Sequence, residues 1–245
     1  MIFEALVAAA SFAAGAVATV TGFGIGSILT PLVATRTGTQ LAVAAVSIPH
    51  FFATLLRFWR LREHVDRRVL LKFGIASAAG GLTGALLHNS AGSRTLGVAF
   101  GLVLIFVGVS ELSGLAARMR LSGPVAWVAG ALSGFLGGLV GNQGGIRSAA
   151  LLGFDIDKRA FVATATAVGV IVDAVRMPAY FATQWRDLLE MWPIITVATV
   201  GAIVGTLAGE RMLRGIPQSQ FRRVVAVLLL VLGSYMLSQN LQALS

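Results

Sequence analysis

The sequence predicts an all-α, polytopic helical membrane protein, and three observations carry this prediction. Of the 245 residues, 56% are hydrophobic and only 12% are charged, whereas a soluble domain has roughly 25% charged residues. Several windows of about 20 residues carry few or no charges, which is the length that crosses a hydrocarbon core of about 30 Å. The segments 95–109 and 224–238 have almost no polar face, so they do not fit the amphipathic helices of a soluble domain.

Eight apolar segments follow one another between charged, glycine-rich or proline-containing gaps. They cover residues 3–34, 41–59, 69–87, 95–112, 124–152, 160–182, 188–208 and 224–238. The first segment lacks a basic leading region, so we interpret it as a retained membrane helix. The first and fifth segments are too long for one simple span, and each contains a glycine cluster.

The two glycine clusters indicate an internal duplication. VTGFGIGS at 20–27 is echoed by VGNQGGIRS at 140–148 when the chain is laid over itself with a shift of 119 residues. The pairs that match are Gly15 with Gly134, Gly22 with Gly141, Gly26 with Gly145, Val43 with Val162, Ala44 with Ala163, Arg57 with Arg176 and, after a slip of two more residues, Gly80 with Gly201 and Gly84 with Gly205. We therefore predict two transmembrane repeats, 1–119 and 120–245, within one integral membrane domain.

The distribution of lysine and arginine predicts the orientation. If each glycine cluster turns the chain back, fourteen basic residues lie on one side and four on the other; if each long segment crosses once, the division is ten against eight. Cytoplasmic loops carry the excess of positive charge, which favours the turned-back arrangement. The two repeats are then inverted, with both termini outside and the loops 60–68 and 211–223 inside.

The glycine clusters have the properties of an anion site. Non-helical backbone at membrane depth is tolerated only where protein or a water-filled cavity surrounds it. The short helices expected to follow, from Ser27 and from about Ile146, would present free amide hydrogens and the positive end of their dipoles at the break. The predicted substrate-binding residues are Gly22, Gly24, Gly26, Ser27, Gly141, Asn142, Gln143, Gly144, Gly145 and Arg147.

Arg147 is the most informative single residue, because a buried arginine in a membrane segment is costly and usually faces a cavity or a partner. Its guanidinium suits bidentate binding of an oxyanion. The alternative is a structural ion pair, with Asp173 as the preferred partner.

Four further polar residues are candidates for coupling or gating. Asp173 and Arg176 are three residues apart on one helix face, so they can form a polar gate; alternatively, Arg176 lies near the interface and extends its charge to water. Arg57 is the counterpart of Arg176 in the first repeat. His50 either titrates near physiological pH or serves as a hydrogen-bonded packing residue. Glu111 lies toward a span end and requires no functional explanation.

Composition and motifs exclude several classes of function. Cysteine is absent, so no disulfide or thiolate metal site forms, and we expect neither a resident metal nor a cofactor. The basic residues lie in short gaps between apolar spans, which indicates contact with lipid and no nucleic-acid partner. No GxxxxGK[ST], HExxH or serine-nucleophile motif is present, so the leading hypothesis is a secondary permease for small anions, driven by a proton or sodium gradient. An intramembrane enzyme and a membrane scaffold without transport activity are the alternatives, and a homo-oligomer is compatible with all three.

The paired motifs resemble the TauE/SafE sulfite exporter family. The resemblance rests on GFGIGSILTPLV near the amino terminus and GFLGGLVGNQGGIRSAALLGF near the middle, and it runs over essentially the whole chain. It implies transport of sulfite or organosulfonates such as sulfoacetate across the bacterial cytoplasmic membrane, with motif residues Gly22, Gly24, Gly26, Pro31, Gly141, Gly144 and Gly145. The second motif departs from the family pattern, because it has Asn142, Gln143 and Arg147 and no following proline. The added arginine argues for an anion in general more than for sulfite in particular.

Overall fold

The computed structural model describes residues 1–115, 124–142, 144–151, 154, 156–212 and 218–242. Within these residues the regular structure is helical. The helices are α1 (Ile2–Thr21), α2 (Ile25–Leu61), a 3-10 turn (Arg62–His64), α3 (Arg67–Ser90), α4 (Ser93–Leu112), α5 (Pro124–Val140), α6 (Gly144–Leu151), α7 (Lys158–Glu190), α8 (Trp192–Met212) and α9 (Gln218–Gln242). Seven of the described helices are long and apolar enough to cross a membrane, and α5 is a shorter apolar helix. The predicted all-α, polytopic membrane class is confirmed.

The helices divide the predicted apolar segments differently from the sequence pattern. Segment 3–34 is shared between α1 and the first part of α2, and segment 41–59 is the second part of α2. These two parts of α2 are joined through a non-helical kink at Gly38, where φ is 75° and ψ is 161°. Segment 124–152 contains both α5 and α6.

The first part of α2 turns back alongside α1. The guanidinium carbon of Arg36 lies 4.1 Å from the centroid of the Phe3 ring, so α2 returns to the end of the bundle where α1 begins. At that end the backbone N–H of Gln40 donates to the Ser93 hydroxyl at 3.0 Å, at the start of α4. This is the hairpin expected from the turned-back arrangement; how it lies relative to lipid stays a prediction.

The helices pair as two-fold related halves would. α1 packs along α8, and α5 packs along α3, while α4 packs against α9 and α2 against α7. The first helix of each half thus contacts the other half. α2 and α7 are the most enclosed of the described spans, with 67% and 56% of their apolar windows buried against 28% for α9. The centre of the molecule is therefore formed by α2, α7 and the two glycine clusters.

Glycines allow the paired helices to approach closely. A Cβ on Gly80 or Gly84 would collide with the carbonyl of Ala131 or Phe135, and a Cβ on Gly205 or Gly209 would collide with Phe12 or Ala16. The contacts of Gly80 and Gly84 correspond to those of Gly205 and Gly209. The structure therefore aligns α3 with α8 at a shift of 125 residues. The sequence match of Gly80 and Gly84 with Gly201 and Gly205 is therefore four residues, about one helical turn, out of register. The division into repeats 1–119 and 120–245 stays a prediction.

Candidate functional site

Both helix breaks begin with a glycine in the left-handed backbone conformation. α1 is followed by its cap residue Gly22, with φ of 80°, and the N–H of Gly22 donates to the Ala18 carbonyl at 2.9 Å. α5 is followed by Gly141, with φ of 75°, and its N–H donates to the Gly137 carbonyl at 3.0 Å. The two caps are the same structure, 119 residues apart. This conformation costs little only for glycine, which explains the residue type at both positions.

The two breaks touch each other at the centre of the molecule. A Cβ on Gly26 would lie 2.6 Å from the Gly141 carbonyl oxygen, and a Cβ on Gly144 would collide with Phe23. The Asn142 side chain donates to the Ser27 hydroxyl at 3.1 Å. The two breaks therefore lie in direct contact and form one composite candidate site, and small residues are required for their close approach.

Arg147 projects its charge into this composite site. It is the fourth residue of α6 and only 3% exposed. Its Nη2 donates to the Gly22 carbonyl at 3.4 Å, a long bond from one break to the other. Its Nη1 and Nε have no hydrogen-bond partner among the described residues. Buried donors without partners are costly, so the arginine has unused capacity to bind an oxygen acceptor.

The neighbouring helix leaves room for this guanidinium. A Cβ on Gly169, in α7, would lie 3.0 Å from Nη1 of Arg147 and 3.3 Å from the methyl group of Thr54. A larger residue at position 169 would push the guanidinium away from its place between α6 and α7.

Arg57 and Arg176 fix the carboxyl ends of the helices that lead into the breaks. Arg57 donates from Nη1 to the Ala18 carbonyl. Arg176 donates from Nη1 to the Gly137 carbonyl at 2.6 Å. These are the same two carbonyls that the break glycines cap. A cation at a helix carboxyl end is favourable because the dipole is negative there, so both arginines position the breaks.

Asp173 binds Arg176 and His50 together. The carboxylate is 0% exposed; its Oδ1 accepts from Nε of Arg176 at 2.9 Å, and its Oδ2 lies 2.6 Å from Nδ1 of His50. In the first half, Thr54 occupies the place of Asp173, and its hydroxyl accepts from Nη2 of Arg57 at 3.3 Å. Arg57 and Arg176 thus each have an oxygen partner three residues earlier in the chain, but only the partner of Arg176, Asp173, is charged.

The described part of the site carries an excess of positive charge. Its buried ionisable groups are Arg57, Arg147 and Arg176, with one carboxylate at Asp173 and a histidine at position 50. With neutral histidine the formal charge is +2, and the amino-terminal ends of α2 and α6 add positive dipole ends at the same place. An anion that bound here would compensate this charge away from bulk water.

The structure corrects several expectations about these residues. α2 begins at Ile25 and α6 at Gly144, two residues earlier than the expected starts at Ser27 and Ile146. The described ion pairs of Asp173 are with Arg176 and His50, so the expected close ion pair of Asp173 with Arg147 is not among them. Arg176 is 2% exposed, so the interpretation that it extends to the interface is wrong.

The remaining predicted residues are placed as follows. Gly22, Gly24, Gly26, Ser27, Gly141, Asn142 and Gly144 lie at or beside the breaks, and Gly145 is the second residue of α6. Gln143 lies outside the described residues. Thr54 and Gly169 were missed, although the 119-residue shift that pairs Arg57 with Arg176 also pairs Thr54 with Asp173 and His50 with Gly169.

Comparison with known proteins gives one family. The family model described as Sulfite exporter TauE/SafE matches residues 7–236, nearly the whole chain. Neither a curated protein nor a solved structure matches the sequence.

Proposed function

The chain belongs to the TauE/SafE sulfite exporter family of membrane transporters, and on that premise we propose that it is a secondary permease for small oxyanions. Sulfite and organosulfonates are the substrate class that the family name and the site chemistry favour together. The bacterial cytoplasmic membrane is the proposed location. The family assignment supports transport, and the site supports an anion.

The observation that carries the substrate class is the buried guanidinium of Arg147. Its Nη1 and Nε lack partners among the described residues, and it reaches across from one break to the Gly22 carbonyl of the other. A planar or tetrahedral oxyanion can accept two parallel N–H bonds from such a group. The amides at the starts of α2 and α6 and the side chains of Asn142 and Gln143 complete the proposed binding set.

The proposed mechanism is alternating access at this midplane site. The hydrogen bond from Asn142 to Ser27 and the contact of Gly26 with Gly141 join the two breaks, so a movement of one half relative to the other changes both surfaces of the site at once. Inverted repeats with interrupted helices support such movements in secondary transporters. Binding of the anion would compensate the excess charge before the site changes its accessible side.

Coupling to protons is assigned to Asp173 and His50. Their 2.6 Å contact and the bond from Arg176 place a titratable pair within the same buried cluster as Arg57 and Arg147. Asp173→Asn and His50→Gln should reduce the pH dependence of transport. If both variants keep the parent's pH profile while transport depends on sodium, the coupling ion is sodium.

A thermal-shift panel on the detergent-purified protein tests the binding claim. The ligands are sulfite, sulfate, sulfoacetate, taurine, phosphate, acetate and chloride, each added to the parent, to Arg147→Ala and to Arg94→Ala, whose arginine is exposed. A ligand at 100 times its Kd stabilises the folded state by about 2.7 kcal/mol. At least one oxyanion should stabilise the parent and Arg94→Ala but not Arg147→Ala.

The alternative is a membrane scaffold without transport activity. A scaffold would show no ligand-dependent stabilisation in this panel, and Arg147→Ala would leave its properties unchanged. Equal stabilisation of the parent and Arg147→Ala would instead retain an anion ligand but remove Arg147 from its site.

A further inference from the structure

A cavity of about 410 Å³ leads away from the helix breaks toward one end of the bundle. At its inner end it is lined by Gly22, Phe23 and Ser148, the residue after Arg147. At its outer end it is lined by Glu111 and Arg222, the last turn of α4 and the first turns of α9. Its volume is more than ten times the roughly 30 Å³ that a water molecule occupies in the liquid, so it has room for a small hydrated anion.

A second cavity, of about 520 Å³, lies at the opposite end of the bundle and does not reach the breaks. Its lining includes Pro31, Gly38 and Ser93, but none of the residues at either break. Ile25, Leu29 and Val33, exposed by 0–2%, occupy α2 between its start and this cavity. Among the described residues, the central site therefore adjoins the first cavity, and these buried apolar side chains of α2 separate it from the second.

An ion pair stands at the outer end of the first cavity. Arg222 donates from Nε to Oε2 of Glu111 at 2.9 Å and from Nη2 to Oε1 at 3.1 Å. The Glu111 side chain is 8% exposed and that of Arg222 44% exposed. The Arg222 guanidinium at this end of the cavity is therefore already neutralised by its two hydrogen bonds to the Glu111 carboxylate.

We propose that the first cavity is the passage by which an anion moves between the breaks and the end of the bundle where α4 ends, and that Glu111 prevents Arg222 from retaining the anion on the way. This inference rests on the proposed function, because it takes the occupant to be the transported anion. The positive-inside distribution predicts that this end is cytoplasmic, so the proposed passage leads to the cytoplasm.

Single cysteines test the passage directly, since the parent has no cysteine. Ser148→Cys lies in the first cavity, Thr35→Cys in the second, and Ser77→Cys is a buried control that lines neither described cavity. A membrane-impermeant maleimide is applied from each side, to spheroplasts and to inside-out vesicles. Ser148→Cys should react only from the cytoplasmic side and Thr35→Cys only from the outside, with Ser77→Cys unreactive.

The labelling results distinguish a failure of the proposed passage from a failure of the proposed function. An unreactive Ser148→Cys, or one that reacts only from outside, overturns the passage. Side-specific labelling that sulfate and sulfoacetate both fail to slow keeps the passage and contradicts the proposed anion. Slower labelling in the presence of either anion supports both.

Glu111→Gln and Arg222→Gln form a matched pair for the role of Glu111. Glu111→Gln frees the Arg222 cation and should lower the anion concentration that half-protects Ser148→Cys by roughly two- to fivefold, the range expected of a partly exposed charge. Arg222→Gln removes the same ion pair without freeing a cation, and should not lower this concentration. If both variants change it alike, the ion pair only joins α4 to α9 and the role assigned to Glu111 is wrong.

Discussion

The three buried arginines of the site differ in their partners. Arg57 and Arg176 donate to the carbonyls of Ala18 and Gly137 and so complete the last turns of α1 and α5. Arg147 has one long bond and two unpartnered nitrogen atoms among the described residues. Arg57 leaves one buried nitrogen atom, Nε, without a partner among the described residues, so Arg147 has the larger unused capacity for a ligand.

The partners of Arg57 and Arg176 predict unequal effects of substitution. Arg176→Met leaves the Asp173 carboxylate buried without its arginine, which costs about 3 to 5 kcal/mol of folding free energy. Arg57→Met removes a bond to a carbonyl and a bond to the Thr54 hydroxyl but leaves no buried anion, so it should cost about 1 to 3 kcal/mol. Denaturation midpoints measured in detergent should therefore be lower for Arg176→Met than for Arg57→Met.

The double variant Arg176→Met with Asp173→Asn is the control for charge. It should recover part of the stability that Arg176→Met loses, because the uncompensated carboxylate is gone. If the double variant is no more stable than Arg176→Met, the loss comes from the α5 carboxyl end and not from Asp173.

Sequence alone identified the residue types of the site but not their pairing. Glycine at positions 22 and 141 could be predicted from backbone geometry, and Arg147 from the cost of a buried charge. The partner of Asp173 could not be chosen, because the spacing of Asp173 and Arg176 allows a pair but does not exclude a longer contact with Arg147. Glu111 was interpreted only as a residue near the end of a span. Its contact with Arg222 could not be predicted, because the two residues lie on different helices and are 111 positions apart in the sequence.

At the scale of helices, the two halves differ where Gly38 corresponds to Asp157. In the first half the two parts of α2 meet at the non-helical residue Gly38, with φ of 75° and ψ of 161°, whereas in the second half α7 begins after Asp157. The Asp157 carboxylate accepts N–H groups from Arg159 at 2.7 Å and Ala160 at 3.0 Å, and so caps the helix. The sequence could predict a helix on either side of both positions, because the apolar segments 3–34 and 41–59 flank Gly38 and the segments 124–152 and 160–182 flank Asp157.

The Asp157 cap predicts a pH-dependent contribution to stability. The N–H groups of Ala160 and Arg159 hold the pKa of the carboxyl below its ordinary 3.8. The stabilisation is complete above the pKa of the unfolded chain and is lost as the pH falls through the lower pKa of the folded state. Asp157→Ala should therefore lower the thermal midpoint at pH 7, and the difference from the parent should narrow below about pH 4.

Asp187→Ala is the matched control, because Asp187 is an exposed carboxylate within the same helix. It should have a smaller effect on the midpoint at pH 7. An Asp157→Ala deficit that stays constant from pH 7 to pH 3 would show that the lost cap is not the cause.

At the scale of the molecule, the two-fold pattern of helix pairs explains why the breaks meet. α1 packs on α8 and α5 on α3, so each half holds the first helix of the other and brings Gly22 and Gly141 to one place. The sequence predicts a duplication, but it did not give the register of α3 and α8. Glycines recur every four residues in these helices, and a match by residue type therefore fits two registers one turn apart.

The predicted orientation follows from the same arrangement. Reporters that are active only in the cytoplasm should be active when fused after Arg67 and inactive when fused after Ser245, because the turned-back halves place the 60–68 loop inside and both termini outside. Fusion after Asn89, on the next turn of the chain, is the internal control and should be inactive. An active carboxyl-terminal fusion would contradict the inverted arrangement.

The central claim is that the junction of the two breaks binds and moves an oxyanion through Arg147. Its most direct test is exchange of sulfite, sulfoacetate and sulfate by the purified protein in proteoliposomes, with Arg147→Ala beside the exposed control Arg94→Ala. The account predicts that the parent and Arg94→Ala exchange at least one of these anions, and that Arg147→Ala loses at least 10-fold in rate, the factor that about 1.4 kcal/mol represents. Equal exchange by the parent and Arg147→Ala, or none by the parent, would contradict it.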